Sequence, residues 1–592
     1  MTGSDDRSRN LPPPPAATPT DRWALDRGAI VPARQVPSAL TAPTPPARRG
    51  RRTVLIAVLG ALVVLAAAGG AAAYLFLRGT TADLLERIPA DADAVAVVSL
   101  DPSASQKLNI ARIADEFHGI GGGDDGVGER LERWGDEVLD GTGLGSDDVT
   151  SWLGVELAVA TDVVDGTPHT AVIADVADRD GAERMLAKLG VPGAAWDGVE
   201  WTERDHLGVT LSIPSRREGE VPAYAFDDDA IILASHVEML ERVIDTHRDT
   251  LPSISSSASF QEAEASLPDG RVLFAFIDTA SLHDEIDDAL AAEAVTSVGG
   301  LGDLSAVKGI GISVSAESDG IALDVVSAYD AANLTGALRD QVTAPDGENP
   351  LLGSIPADAW GVAAARHFQY GLEEAARELE RADPAVASDL EAMGLTGPEG
   401  LLGLLGGDMA IALMPDDTTT VGGALLLTVD DEDAARAAAE TLAEGLSDTM
   451  RSGGGGRLRW EERTHADGTR ISVLRDGSVA YAVRDDVLVV GTSVEQVIDV
   501  LDVRSDGSIT VDPAFVRGIE GVPTTDGVFY VDVARIVNSI HDALPPEERD
   551  DFDRDLGPDL RKIRSVAFGV DMDQARQRFR MFVAIPEQGE IT

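Results

Sequence analysis

The pentapeptide Ile-Pro-Ala-Asp-Ala stands at Ile88–Ala92 and again at Ile355–Ala359, and the blocks downstream of it recur in the same order. Leu153-Gly-Val-Glu-Leu-Ala-Val-Ala is answered by Leu405-Gly-Gly-Asp-Met-Ala-Ile-Ala. VADRDGAERMLAKL from Val176 is answered by VDDEDAARAAAETL from Val429, and YAFDDDAIILASHVEML from Tyr224 by YAVRDDVLVVGTSVEQV from Tyr481. FIDTASL from Phe276 matches YVDVARI from Tyr530, and VKGIGISVS from Val307 matches IRSVAFGVD from Ile563. Blocks kept in register and in order point to one supersecondary unit used twice. The expected layout is a first copy over 84–330, a linker over 331–350 and a second copy over 351–586.

Within the first copy, Ala94–Leu100, Leu157–Val163, Thr170–Val176, Ala230–Ala234, Val272–Ile277, Gly309–Ser315 and Ile321–Ser327 are short runs of Val, Ile and Ala. Such runs predict half-buried strands. Asp178–Lys188 opens on acidic residues and spaces Ala182, Met185, Leu186 and Leu189 along one helical face. Val237–Ile244 and Leu282–Ala292 read as helices in the same way. The Asp-rich links at Asp227–Asp229 and Asp485–Asp486 are hairpin turn chemistry, and tight turns make neighbouring strands antiparallel. The Gly-rich stretches 119–128, 141–145 and 453–456 read as surface loops. The fold class expected for each copy is therefore α+β, a largely antiparallel sheet covered by helices.

Thr53–Leu77, TVLIAVLGALVVLAAAGGAAAYLFL, contains no charged residue. As a helix it extends about 38 Å, enough to cross a hydrocarbon core of about 30 Å with tilt. Arg48, Arg49, Arg51 and Arg52 precede it and only Arg78 comes closely after it, which orients the N-terminus toward the cytoplasm. Residues 1–52 hold Pro12–Pro15 and six further prolines, and read as a disordered cytoplasmic tail. That tail carries nine Arg and four Asp, a net of +5. The whole chain is at −54, so residues 78–592 carry −59. So acidic a body repels nucleic acid and anionic lipid, which are bound through Lys and Arg. The chain has no cysteine, which excludes disulfides, thiol nucleophiles and Cys-ligated metals.

Catalytic motifs are weak throughout. None of the four lysines, Lys107, Lys188, Lys308 and Lys562, comes after a glycine, so no Walker-type loop exists. Ser305-x-x-Lys308 lacks the accompanying Lys-Thr-Gly strand of the penicillin-recognising serine enzymes. The nine histidines show no HExxH or His-x-x-x-His spacing. Asp178-x-Asp180-Gly181 opens like a calcium loop but lacks the later bidentate Glu, and reads better as a helix N-terminus. Gly121-x-Gly123-x-x-Gly126 has no strand before it and is not a dinucleotide fingerprint.

One polar cluster stands out, Asp101-Pro-Ser-Ala-Ser-Gln-Lys-Leu-Asn109, directly after the first strand. Two readings are open. Ser105, Gln106, Lys107 and Asn109 offer a ligand or partner contact, or Ser103 or Ser105 caps a helix at Lys107–Phe117. With Pro89–Ala92 ahead of it, this cluster resembles a family of actinobacterial membrane-anchored proteins, the family called domain of unknown function 3352. The resemblance covers most of the chain after the anchor. It implies an N-terminal anchor and an extracytoplasmic body, and brings no activity with it. The second copy keeps its Pro-Ala-Asp-Ala segment but departs at Gly361–Tyr370, so a site at Asp101–Asn109 exists once.

The reading that results is a single-pass protein of the cell membrane with a large acidic extracytoplasmic domain. It is a non-catalytic cell-envelope interaction or organising protein with no cofactor, meeting the membrane, envelope proteins and no nucleic acid. The alternative is a binding domain for an apolar or lipid-like ligand, with a hydrolase behind both.

Overall fold

A computed structural model describes residues 84–586 apart from 118–141, 143, 193, 217–218, 220, 282–305, 335, 397–399, 417–420, 453–457, 505 and 556. The expected cytoplasmic tail at 1–52, the expected membrane helix at 53–77, the expected helix at 282–292, the Gly-rich stretches 119–128 and 453–456 and Ser305 lie outside the described residues. Among the described residues no helix is long and apolar enough to cross a membrane.

The first ten strands are β1 (Ala94–Ser99), β2 (Leu153–Val164), β3 (Thr167–Val176), β4 (Trp201–His206), β5 (Val209–Pro214), β6 (Ala223–Asp227), β7 (Ala230–Ala234), β8 (Leu273–Ile277), β9 (Val307–Glu317) and β10 (Gly320–Tyr329). Their pairing order is β4-β5-β6-β7-β3-β2-β1-β8-β9-β10, antiparallel at every step. The next ten are β11 (Gly361–Ala365), β12 (Leu405–Met414), β13 (Gly422–Val429), β14 (Trp460–Thr464), β15 (Arg470–Leu474), β16 (Ala480–Arg484), β17 (Val487–Gly491), β18 (Gly527–Asp532), β19 (Ser565–Met572) and β20 (Arg576–Ala584). They pair as β14-β15-β16-β17-β13-β12-β11-β18-β19-β20, position for position the order of the first ten.

Detail repeats with the order. The β2–β3 ladder shifts register between Leu153 and Leu157, and the β12–β13 ladder between Leu405 and Met409. Isolated bridges tie Pro89 to Ser253 and Pro356 to Ser508. The β6–β7 turn places Asp228 at φ 53°, and the β16–β17 turn places Asp485 and Asp486 at 52° and 60°. These left-handed conformations are ones Asp tolerates in tight hairpins.

Strands β10 and β20 pair antiparallel from Gly320↔Ala584 to Ala328↔Arg576, and this seam makes one twenty-stranded sheet of the two halves. The strands approach closely. A Cβ on Gly320 would stand 2.1 Å from the Val583 carbonyl oxygen. The pairing is symmetric about Asp324↔Arg580, so these two residues hold equivalent places in the two halves. Both side chains are largely buried, and Arg580 Nη1 lies 3.2 Å from Asp324 Oδ1 while Nη2 reaches Glu317. Burial pushes the Asp324 carboxyl up, against the pull of Arg580. Beyond them the Tyr329 hydroxyl donates to Gln577 Oε1 across the seam at 3.1 Å, and burial pushes that phenol up to about 12.

One face of the sheet carries two main cores that meet at the seam. In the first half the helices Val237–His247 and Ala258–Glu264 cover it, with Met239, Leu240, Val243, Ile244 and Phe260 against Ile173, Ile232 and Phe276. In the second half Val494–Asp502 and Pro513–Gly518 do the same with Val497, Val500 and Phe515 against Leu426, Val489 and Tyr530. Phe276 and Tyr530 are matched residues, both fully buried, and each meets a phenylalanine edge-on: Phe260 at 5.4 Å and Phe515 at 5.1 Å. Helices on the other face include α1 (Ala104–Glu116), α2 (Arg179–Leu189), α3 (Gly336–Val342) and α4 (Glu432–Ser452). On that face the half-buried rings of Phe529, Phe568 and Phe579 form a row across β18, β19 and β20.

The outer strands β4 and β14 read Trp-Thr-Glu-Arg-Asp-His and Trp-Glu-Glu-Arg-Thr, and are mostly exposed. Charged side chains at both sheet edges oppose edge-to-edge association. Reversing one charge at the seam should be costly, because it leaves a buried charge against its like. Arg580→Asp is expected to destabilise by about 3–5 kcal/mol, read as a lowered denaturant midpoint. Asp324→Arg combined with Arg580→Asp should recover most of that loss.

Candidate functional site

The polar cluster after β1 lies at the seam. Helix α1 begins at Ala104, three residues before the expected start, and Ser103 Oγ accepts from the Gln106 amide at 3.4 Å as its cap. Gln106 is buried, and its Oε1 accepts from the Ala316 amide at 2.7 Å. Asn109 Nδ2 donates to the Ala316 carbonyl, also at 2.7 Å. Arg112 Nη1 donates to the carbonyl of Ile585 just beyond β20 at 2.7 Å, and Nη2 reaches Glu317. Two of the four expected contact residues, Gln106 and Asn109, thus clamp α1 onto the β9–β10 hairpin beside the seam. Lys107 pairs with Asp101 across the cap, and Ser105 is exposed with its hydroxyl 3.0 Å from Ser103. The second half has no such run at Gly361–Tyr370, and α3 covers the opposite end of the seam instead. There Leu334, Leu338 and Val342 pack with Val307, Tyr329 and Met572.

A cleft of about 850 Å³ lies at the far edge of the first half. Its origin is local. Strand β5 pairs with β6 only through Leu211↔Ala225 and Ser212↔Tyr224, so the β4–β5 hairpin parts from the sheet beyond that point. Helix α2 forms the opposite wall and stops at Leu189, capped by Gly190. The chain then folds back so that the Trp196 amide donates to the Leu189 carbonyl at 2.7 Å. Trp196, Trp201, Tyr224 and Phe226 line the space with Arg179, Glu183, Thr210, Ser212 and Arg248. Trp201 meets Tyr224 edge-on at 5.0 Å, and Trp196 lies near-parallel to Tyr224 at 6.0 Å.

The second half provides an internal control. Trp460 meets Tyr481 at 5.3 Å and 70°, close to the 5.0 Å and 70° of Trp201 and Tyr224. That pair is therefore part of the scaffold. What differs is the cover. Helix α4 has 21 residues against 11 in α2, and its Ala439, Ala443 and Leu442 pack onto Trp460, Tyr481 and Leu425. Phe226 becomes Val483, and the charges reverse: Arg179 and Glu183 correspond to Glu432 and Arg436, and Asp227 to Arg484. In the first half the cleft opens beside a core in which Leu186, Leu189 and Trp196 pack with Trp201, Tyr224 and Phe226, and in the second half the longer α4 covers the matched pair.

An ion network closes one end of the cleft. Asp227, at the end of β6, is 1% exposed. Its carboxylate accepts from Arg87 Nη1 at 3.1 Å and from Arg248, and lies 2.6 Å from His247 Nδ1. Arg87 Nη2 continues to Asp229 at 2.5 Å, and Arg248 Nη1 to Asp228 at 3.1 Å. Asp227, Asp228 and His247 bring ligand atoms within 4.8 Å of one another. Two guanidiniums already bond these carboxylates, so the donor set suits ion pairing better than a dication. At the equivalent corner of the second half, Arg484 pairs with Asp467 at 2.7 Å and Asp485 at 3.0 Å. There the Thr469 amide and hydroxyl and His465 hold the Asp467 carboxyl well below the usual range.

Removing Arg87 should leave the buried Asp227 carboxylate short of a partner. Arg87→Met is expected to lower the unfolding free energy by about 3–5 kcal/mol, measured by denaturant titration. Arg179→Met, at an exposed pair, should change it by less than about 1 kcal/mol.

Two solved structures are similar to this chain, crystal forms III and I of TP0453, each at 12% identity and covering 45% of this chain. The matches take in 90% and 88% of those chains, with TM-scores of 0.24 and 0.23. No curated protein matches. The family described as "Protein of unknown function (DUF3352)" matches residues 57–585. That span takes in both halves, the seam and the cleft, and the chain belongs to this family.

Proposed function

We propose that this chain is a single-pass membrane protein that holds residues 84–586 outside the cytoplasm as a non-catalytic binding or organising protein of the cell envelope. The anchor is the uncharged run Thr53–Leu77, and the Arg cluster before it sets the orientation. The body is two copies of one α+β unit, a reading supported by the repeated strand order, bulges and bridges. The copies have diverged in role. The second is the packed partner, and the first receives the ligand in the cleft beside Trp201.

The observation that carries this reading is the cleft beside α2, whose matched position in the second half lies under the longer α4. Charged groups lining it are held in pairs, Arg179 with Glu183 at 3.2 Å and Arg248 with Asp228 at 3.1 Å. Paired groups favour recognition over acid–base work, which needs a group free to take or give a proton. A lipid-like ligand is the second reading, and the row of Phe529, Phe568 and Phe579 on the sheet is the feature that favours it.

Two measurements in cells test the proposal. A periplasm-dependent reporter at the C-terminus should be active, and activity of a cytoplasm-dependent one would overturn the orientation. A photo-crosslinking residue at Thr210 should capture a cell-envelope component that the same residue at exposed Arg470 of the second half does not. Equal yields at both positions would exclude the cleft as the binding site.

A further inference from the structure

The cleft has a composition that narrows what can occupy it. Its aromatic wall is the half-buried Trp201, Tyr224 and Phe226 with the buried Trp196 behind them, and its polar rim is Arg179, Glu183, Thr210, Ser212, Asp228 and Arg248. A volume of about 850 Å³ lies within the usual range of small-ligand sites.

Each charge class meets an obstacle. An aromatic wall beside carboxylates suits an organic cation, but a cation is already there: the Arg179 guanidinium sits 4.6 Å from the Phe226 ring centroid. Arg248 adds a second positive charge at the Asp227 end. An anion would have to displace Glu183 from Arg179 and Asp227 and Asp228 from Arg248, on a chain whose net charge is −54. An acyl chain would bury the rim's guanidiniums, carboxylates and hydroxyls without offering them a partner.

What remains is a neutral molecule with flat apolar faces and many hydroxyls. The C–H faces of a sugar ring pack on indole and phenol rings, and adjacent hydroxyls both donate and accept. The paired guanidinium and carboxylate of Arg179 and Glu183 answer that alternation with donors and acceptors side by side. We propose that the cleft binds a short neutral glycan, its rings against the half-buried Trp201 and Tyr224 and its hydroxyls on the Arg179–Glu183 and Arg248–Asp228 pairs. This rests on the reading of the cleft as the ligand site. It also accounts for the difference between the halves. The Trp–Tyr pair is common to both, whereas Trp196, the short α2 and the Phe226 position belong to the first alone.

The test is calorimetric titration of the full-length chain in a detergent without a sugar headgroup. The probes are neutral hexose and pentose trisaccharides, a uronate trisaccharide, choline, and phosphatidylcholine vesicles. Saturable binding is expected for a neutral trisaccharide, weakened about tenfold or more by Trp201→Ala and unchanged by Trp460→Ala, the matched position of the second half. Thr210→Trp, an exposed position on the rim, fills the cleft without touching the core and should also abolish binding. Cleft-dependent binding of the uronate, choline or vesicles, with none of a neutral sugar, would overturn the ligand class and keep the cleft as the site. No probe responding to Trp201→Ala or Thr210→Trp would overturn both.

Discussion

The pairing of β10 with β20 is the contact on which the rest of the molecule depends. Each half alone ends in a strand, β10 or β20, with one row of backbone donors and acceptors unpaired, the kind of edge that invites association. Joined, the two strands satisfy one another's backbone groups and turn two ten-stranded sheets into one. At the centre of the seam the symmetric position holds Asp324 on one side and Arg580 on the other. Two identical halves would place like charges there. The opposite charges make the seam specific for the unlike partner, which the linker supplies within the same chain.

Several features cluster on that seam. Helix α1 is clamped to it through Gln106, Asn109 and Arg112, and α3 seals its other end. The polar stretch Asp101–Asn109 is thus spent largely on structure, with Ser105 and the 68%-exposed Leu108 left facing outward. Function is better sought where the halves differ. Shared features such as the Trp–Tyr pair and the buried Phe276 and Tyr530 belong to the scaffold. The reversed charges at Asp227 and Arg484 show that each half solved the corner beside its outer hairpin independently. The first has a cleft of about 850 Å³ beside it.

Much of the fold can be read from the sequence. Strands such as Ala230–Ala234 and Ile321–Ser327 announce themselves because they are Val- and Ile-rich on a half-buried sheet, and the matched blocks give the repeated order. Strands β4 and β5 are not visible there, since Trp-Thr-Glu-Arg-Asp-His is an exposed edge whose charges erase the apolar alternation. The seam is equally hidden, because nothing in β10 names a partner more than 250 residues away. Gln106 and Asn109 leave two readings open, as their partner Ala316 is remote in sequence. The cleft does leave a trace. The block from Val176 stops at Gly190 and Pro192, whereas the block from Val429 runs on as a helix, and Trp196 has no counterpart in the second half.

If the two halves are one sheet, completed only across the seam, each should need the other. Cutting the chain between Asp346 and Glu348, an exposed stretch after α3, and co-expressing the two pieces tests this dependence. A stable one-to-one complex is expected, one that loses its association when Arg580 is reversed to Asp and regains it when Asp324 becomes Arg. Two pieces that fold and remain apart, or that associate regardless of the charges at these two positions, would contradict it.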